Sequence, residues 1–500
     1  MKNKRVFNYR PLCFVALFLF VTLVMALINF WALVVWLIIL LVIVGFFFKS
    51  KRLAIMVLTV IFLSLGSFFL TTQSFENSRV FAGSGYLQGT ILSHNINDAT
   101  HSGNFVLGDV TFRGEPVRGR VRVFANAINW SSNRAIDVGN IVYLYTDISN
   151  AQTSNFNVNN RIRYTTSIWA TQIYFAGENT NARFTIMRAS NEFLHRFMSP
   201  NSAELVYSML FGDRSEIESG VVQVFSASGI GHVLAVSGLH VALLMGIFMF
   251  ILSAVKFPRK WQIPILFAIL GFYVYLVDFR YSVLRAAIMF MTVLIFRSQL
   301  RKVDLLSSIC FAAILILIIF PYGLLSVSFI MSFGCLIGIA MFHRPIDNWT
   351  KQRIMFLPKP LAHAIAGSVA ITLAATAMVL PILINYFGFV GTFTLLSNLI
   401  LLPILVLAFQ MSIVALITVI AFPLLWVSSF LIDTVVAAGN WLISIPWSVI
   451  RMEGSGYFYL LFFIALILSS RFIFANRRAK FLAFAVFMLG YLTTIAIANL

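Results

Sequence analysis

The sequence predicts a polytopic α-helical membrane protein of roughly 10–13 membrane segments, with one small exported β domain after the third span. Composition excludes a soluble globular chain: of 500 residues, 60% are hydrophobic and 11% charged, and the mean hydropathy is +0.92. Long apolar runs alternate with short basic loops, and one hundred-residue stretch breaks that texture completely. The formal charge of +19 fits nucleic acid, anionic lipid or cytoplasmic loops, and the placement of the cations has to decide.

Residues 1–72 read as a three-span anchor. The apolar run Leu12 to Phe48 is too long for one crossing of about 20 residues and is interrupted at Asn29 and Phe30, so two spans are expected. A third runs from Leu53 to Leu70. Lys2, Lys4, Arg5 and Arg10 would share a side with Lys49, Lys51 and Arg52, which puts the N-terminus in the cytoplasm and residue 72 outside.

Residues 84–190 read as the exported domain. This tract holds nine arginines, six acids and no lysine. Alternating runs at Tyr86 to Leu92, Asn104 to Phe112, Val117 to Phe124, Asn140 to Tyr145 and Thr171 to Phe175 predict an antiparallel barrel or sandwich. In the third run Arg118, Arg120 and Arg122 would share one face, opposite Val117, Gly119, Val121 and Val123. Such a row suits a phosphate backbone, a solvated surface or lipid headgroups. Cys13, Cys310 and Cys335 all fall in apolar spans, which predicts core residues, no disulfide in the exported domain and no metal site.

Residues 196–500 read as the polytopic channel domain. Ser199-Pro200 announces a helix start, and Leu205 to Phe211 and Ile217 to Phe225 look like short interfacial or re-entrant helices. The stretch Phe225 to Leu244 then carries two histidines, three serines and three glycines in apolar sequence. Polar groups at membrane depth mark an interior path or site. On a continuous helix His232 and His240 would lie about 80° apart, while Gly229, Gly231 and Gly238 would allow breaks or close packing. Basic loops recur at Lys256 to Lys260, Arg297 to Lys302, Arg344 to Lys359 and Arg471 to Lys480, each cytoplasmic on the same scheme, so much of the positive charge is topological. Arg285 stands about a turn into a span, lining a pore or snorkelling to the interface. Pro381, Asn385, Asn398 and Pro403 sit in apolar sequence where broken helices or kinked packing helices are expected.

Leu210-Phe-Gly-Asp-Arg214 followed by Ala235-Val-Ser-Gly-Leu-His240 resembles the signature of the ComEC family of competence proteins. Tyr281 to Met289, Val327 to Phe333 and Pro381 to Gly388, continuing through Asn398 and Pro403, are similar to its later motifs in the same order. The resemblance implies a channel for single-stranded DNA in the bacterial cytoplasmic membrane during natural transformation. It also implies an OB-like exported domain and partnership with a DNA receptor, a separate nuclease and a cytoplasmic motor. Many family members continue into a metallo-β-lactamase-like domain; no histidine-rich metal motif stands near the end of this chain, so the channel without the nuclease is expected, with no cofactor. His232, Ser237, His240, Arg285, Asn385 and Asn398 are then the candidate lining. Two other readings stand beside it: a small-molecule or lipid transporter, and an intramembrane hydrolase using Ser237 and His240. The hydrolase is disfavoured because both residues lie on one element, whereas nucleophile and base usually come from two.

Overall fold

The computed structural model describes residues 11–28, 30–47, 51–77, 83–97, 102–126, 137–151, 157–158, 160–169, 173–234, 236–298, 305–418 and 422–451. The span expected at Lys480 to Leu500 and the basic residues from Arg471 to Lys480 lie outside these. The chain divides into two compact units, Phe14–Glu192 with Ala313–Ser326, and Phe193–Ala312 with Val327–Leu500 and Met1–Cys13.

In the first unit the apolar run breaks at residue 29 into α1 (Pro11–Ile28) and α2 (Phe30–Phe47), followed by α3 (Lys51–Glu76). The few polar side chains hold the helices together: Trp36 Nε1 donates to Thr22 Oγ1 at 2.9 Å, and Ser64 Oγ donates to the Leu317 carbonyl at 3.2 Å. Among the described residues five helices are long and apolar enough to cross a membrane, the α3 stretch Ala54–Glu76 included, and six shorter apolar helices accompany them.

The sheet strands are β1 (Gly85–Asn97), β2 (Ser102–Phe112), β3 (Glu115–Pro116), β4 (Arg120–Asn126), β5 (Asn140–Thr146), β6 (Ser149–Asn150), β7 (Ile162–Trp169) and β8 (Ile173–Glu178). They follow the order β6-β7-β4-β2-β1-β5-β8, with β3 on β2. Every pair is antiparallel except β4 with β7, which is parallel. The all-antiparallel expectation is corrected there, and it failed because β7 was not foreseen. Its inward positions run Ile162, Tyr164, Thr166, Ile168, and the polar Thr166 interrupts the apolar alternation. Thr166 is buried and hydrogen-bonds Thr146 at the end of β5, bringing the far side of the sheet towards its start. Leu87, Phe105, Leu107, Val121, Leu144 and Ile168 share one core, each burial being worth ~1.5–3 kcal/mol.

The second unit contains the end of α4 (Ala182–Phe197), then α5 (Pro200–Phe211), α6 (Ser219–Ala227), α7 (Gly238–Ala254), α8 (Arg259–Leu276), α9 (Tyr281–Ser298), the first half of α10 (Leu305–Ile319), α11 (Val327–Arg353), α12 (Lys359–Phe387), α13 (Thr394–Thr418) and α14 (Pro423–Ser444). Helix α5 starts as expected, with Ser199 as N-cap and Pro200 in the first turn. It does not lie at an interface: Ser202, Ala203 and every residue from Leu205 to Phe211 are buried. A 12-residue helix surrounded in this way is an internal element, too short to cross a bilayer.

Of the two readings open for this segment, broken or kinked packing helices, the prolines themselves mark no break: Pro381 and Pro403 sit inside continuous helices, α12 and α13. The break falls between them. Helix α12 ends on Gly388 in the left-handed conformation (φ 71°), and Phe389–Gly391 (β9) pairs antiparallel with Val449–Arg451 (β10). Cys13 and Cys310, expected as core residues, are only half-buried and bring their sulfurs within 3.3 Å.

Candidate functional site

The stretch Phe225 to Leu244 is three pieces, not one helix. Helix α6 stops at Ala227, and Gly229 turns the chain with φ +81° while Ile230 N–H donates back to the Phe225 carbonyl at 3.0 Å. A 3-10 turn over Gly231–Leu234 follows. Ser237, in extended conformation, then caps α7. The shared histidine face is thereby corrected: His232 is exposed in the 3-10 turn, whereas His240 is 2% exposed with its ring edge-on to Phe409 at 4.9 Å.

Ser237 and His240 do meet, despite lying on one element. Ser237 N–H donates to His240 Nδ1 at 3.0 Å, and Ser237 Oγ lies 3.3 Å from the same nitrogen. This is the geometry of a helix cap, in which a side chain three residues on satisfies the backbone N–H that begins the helix. The Nδ1 lone pair that a hydrolase would need for its serine proton is already engaged by the backbone.

Glycine lets three segments converge beside this turn. A Cβ on Gly229 would collide with Thr394 Oγ1, and one on Gly391 with the Ala227 carbonyl. One on Gly439 of α14 would reach Val224 at 2.6 Å and Ser228 Oγ at 3.5 Å. Gly231 also packs closely, against the Ser226 backbone at 3.0 Å; Gly238 faces only Ala286 at 3.6 Å, so its expected close-packing role is not met.

Several buried polar atoms of this unit have no hydrogen-bond partner among the described residues: Ser228 Oγ, Ser397 Oγ, Asn398 Oδ1, and Nε and Nη1 of Arg285. Each such group costs about 1–3 kcal/mol, and more when charged. Arg285 is 3% exposed, with its guanidinium 5.5 Å from the centre of the Phe333 ring. It does not snorkel to a surface. Asn385 is instead exposed, in the last turn of α12, and Asn398 is half-buried near the start of α13.

A second polar cluster was not foreseen. Asp433 of α14 accepts from Ser199 Oγ at 3.0 Å and from Ser202 Oγ at 2.8 Å, while Ser429 Oγ accepts from Ser199 N–H at 3.0 Å. This places a carboxylate against the positive end of α5. A lone acid in the apolar α14 was the available signal. One turn on, Glu204 contacts His195 at 2.9 Å. Burial, and then Glu216 and Asp213, push the Glu204 carboxyl up to about 8. At the other end of α5, Arg214 Nε donates to the Leu234 carbonyl at 2.9 Å. Burial, then Arg280, lower the Arg214 pKa.

In the sheet, alternation holds from Arg120 onward: Val121, Val123 and Ala125 are fully buried, and Arg120 and Arg122 face outward. Arg118 does not join that row. It precedes the strand, beside Gly119 at φ +105°, and is exposed. Arg122 lies 5.7 Å from the Phe124 ring, and burial lowers its pKa. The sequence reading missed an aromatic patch on β1, β5 and β8: exposed Tyr143 and Tyr174 stack at 5.2 Å, and exposed Tyr86 and Tyr145 meet edge-on at 5.2 Å. Among the described residues no three His, Cys, Asp or Glu side chains gather as metal ligands.

Comparison with known proteins places these features. The model of the family described as "Competence protein" matches residues 209–493, more than half of the chain, starting inside α5 and covering the capped turn, Arg285 and the break between α12 and α13. ComE operon protein 3 of Bacillus subtilis is 29% identical over 167 residues, which is 33% of this chain and 22% of that protein. An uncharacterized protein of Aquifex aeolicus is 26% identical over 250 residues, 48% of this chain and 58% of its own. The chain thus spans less than two thirds of either relative, and no solved structure matches it. The chain belongs to the ComEC family of competence proteins.

Proposed function

We propose that this protein conducts single-stranded DNA across the bacterial cytoplasmic membrane during natural transformation. The observation that carries the reading is Arg285, a buried guanidinium whose Nε and Nη1 have no acceptor among the described residues, on a helix inside the family-matched region. Each phosphate of a strand carries a charge that lipid cannot solvate, so a path needs donors that are available and not already committed. Ser228, Ser397 and Asn398 add uncommitted polar atoms. His240 serves as a cap, and His232 and Asn385 belong to exposed surfaces that a strand would meet outside the buried interior.

Five long and six shorter apolar helices support a count of eleven crossings or fewer among the described residues. The N-terminus is assigned to the cytoplasm and the sheet to the outer face on the distribution of basic residues. An OB-like reading of the sheet rests on the β7-β4-β2-β1-β5 order and the parallel β4–β7 pair. In that reading Arg120 and Arg122 supply charge, and Tyr86, Tyr143, Tyr145 and Tyr174 supply stacking platforms for a strand on its way in. The protein acts as a conduit and not as an enzyme. A receptor delivers DNA, a separate nuclease removes one strand and a cytoplasmic motor draws in the other.

The test is entry of labelled DNA in a transformable host that relies on this protein. Arg285→Ala is expected to lower entry into the cytoplasm by about 10–150-fold, the equivalent of losing a charged hydrogen bond worth ~1.5–3 kcal/mol. Surface-bound DNA should be unchanged. Wild-type entry at wild-type protein level would remove Arg285 from the path.

A further inference from the structure

The first unit holds a groove that the channel reading does not use. Its volume is about 720 Å³, and it runs along the second half of α3 to the turn before β4. Phe62, Leu63 and Leu70 form its apolar wall, and Arg118, Arg161 and Arg163 stand in its lining with no acid among the described residues there. Phe62 is 75% and Leu70 69% exposed, so the wall is open for an apolar occupant. Gly66 opens the middle: a Cβ there would meet nothing within 4 Å. Arg163 is held in position, donating from Nη2 to Ser74 Oγ at 2.7 Å, and its stem packs against Gly119, where any Cβ would strike it at 2.6 Å.

The layout follows the profile of one membrane leaflet. From Phe62 to Ser74, α3 rises about 18 Å, comparable to half of a ~30 Å hydrocarbon core. The wall changes along that rise from Phe and Leu to Thr71 and Ser74, and the arginines cluster at the polar end. Free phosphate would have no use for the apolar wall, and a nucleic acid strand could not follow α3 down to Leu63 and Phe62 without stripping water from its phosphates. An amphiphile uses both ends.

We infer that this groove is a binding site for an anionic glycerophospholipid, with an acyl chain along α3 and the phosphate held by Arg118, Arg161 and Arg163. The lipid would tie the β domain to the membrane at a fixed height, through charge and apolar contact together.

The full chain, reconstituted in bilayers of phosphatidylcholine with a minor fraction of phosphatidylglycerol, is extracted gently and its retained lipids are read by native mass spectrometry. Phosphatidylglycerol should be enriched about tenfold or more over its bulk share, an affinity difference of ~1.4 kcal/mol. The triple Arg118→Gln, Arg161→Gln, Arg163→Gln variant should return to the bulk ratio. So should Gly66→Trp, which fills the groove from a helical position without touching a cation; circular dichroism and thermal unfolding check that both variants fold. A bulk ratio in the wild type overturns the proposal. Loss in the arginine variant with full retention in Gly66→Trp also overturns it, since the arginines would then hold an anion without the groove. Displacement of the lipid by a single-stranded oligonucleotide or inorganic phosphate, at concentrations that leave Gly66→Trp binding them as well as wild type, would reassign the arginines to those anions.

Discussion

Gly229 and Gly238 belong to one motif, yet only the first is obliged to be glycine. Gly229 has φ +81° and its missing Cβ is replaced by Thr394. Any side chain there meets both a disfavoured backbone region and a collision. Gly238 opens α7 with free space as far as Ala286. Gly229→Ala should therefore destabilise the protein by about 1–3 kcal/mol, whereas Gly238→Ala should be neutral or stabilise by up to ~1 kcal/mol. Thermal unfolding of both variants in one lipid nanodisc preparation makes the comparison, and equal losses would contradict it. The presence of glycine could be read from the motif; its necessity could not, because Thr394 lies more than 150 positions away in the chain.

At the scale of the element, α5 is a short helix held at both ends by polar groups from elsewhere. Asp433 and Ser429 receive its first turn, and Arg214 closes onto Leu234 beyond its last. Glu204 makes this element sensitive to pH. Its folded carboxyl keeps a proton up to about 8, while the unfolded side chain releases it near the ordinary value of 4.5. Between those values the folded state binds more protons, so stability is full below the window and falls as pH rises through it. The melting temperature should decline from pH 5 to pH 8 in wild type, and Glu204→Gln should flatten that decline. The same slope in both proteins would exclude Glu204 as its source. The helix start at Ser199-Pro200 was legible because capping is local. Burial of the helix on all sides was not, because it depends on α13 and α14 packing around it.

For the molecule as a whole, the first testable statement is sidedness. With the native cysteines replaced, a single cysteine at Asn3 should resist a membrane-impermeant maleimide added to intact spheroplasts, and one at Asn179 in the turn after β8 should react with it. Reaction at Asn3 from outside, or protection of Asn179 until lysis, would reverse the assigned orientation. That assignment uses only where lysines and arginines fall between apolar runs, which is why it was available without coordinates.

Apolar run length, basic loops and the lysine-free tract were enough to define a multi-pass membrane protein with an inserted β region, and the spacing within Ala235 to His240 was enough to point to its family. These signals are local: hydropathy and caps act over a turn or a span. The tertiary structure decided what the polar residues do. It turned His240 into the cap of α7, kept the helices continuous through Pro381 and Pro403 with the break at Gly388, joined β4 to β7 in parallel and left Arg285 buried beside Phe333 with Nε and Nη1 uncommitted among the described residues. Each of these depends on partners distant in the chain, and a buried polar group is defined by what surrounds it.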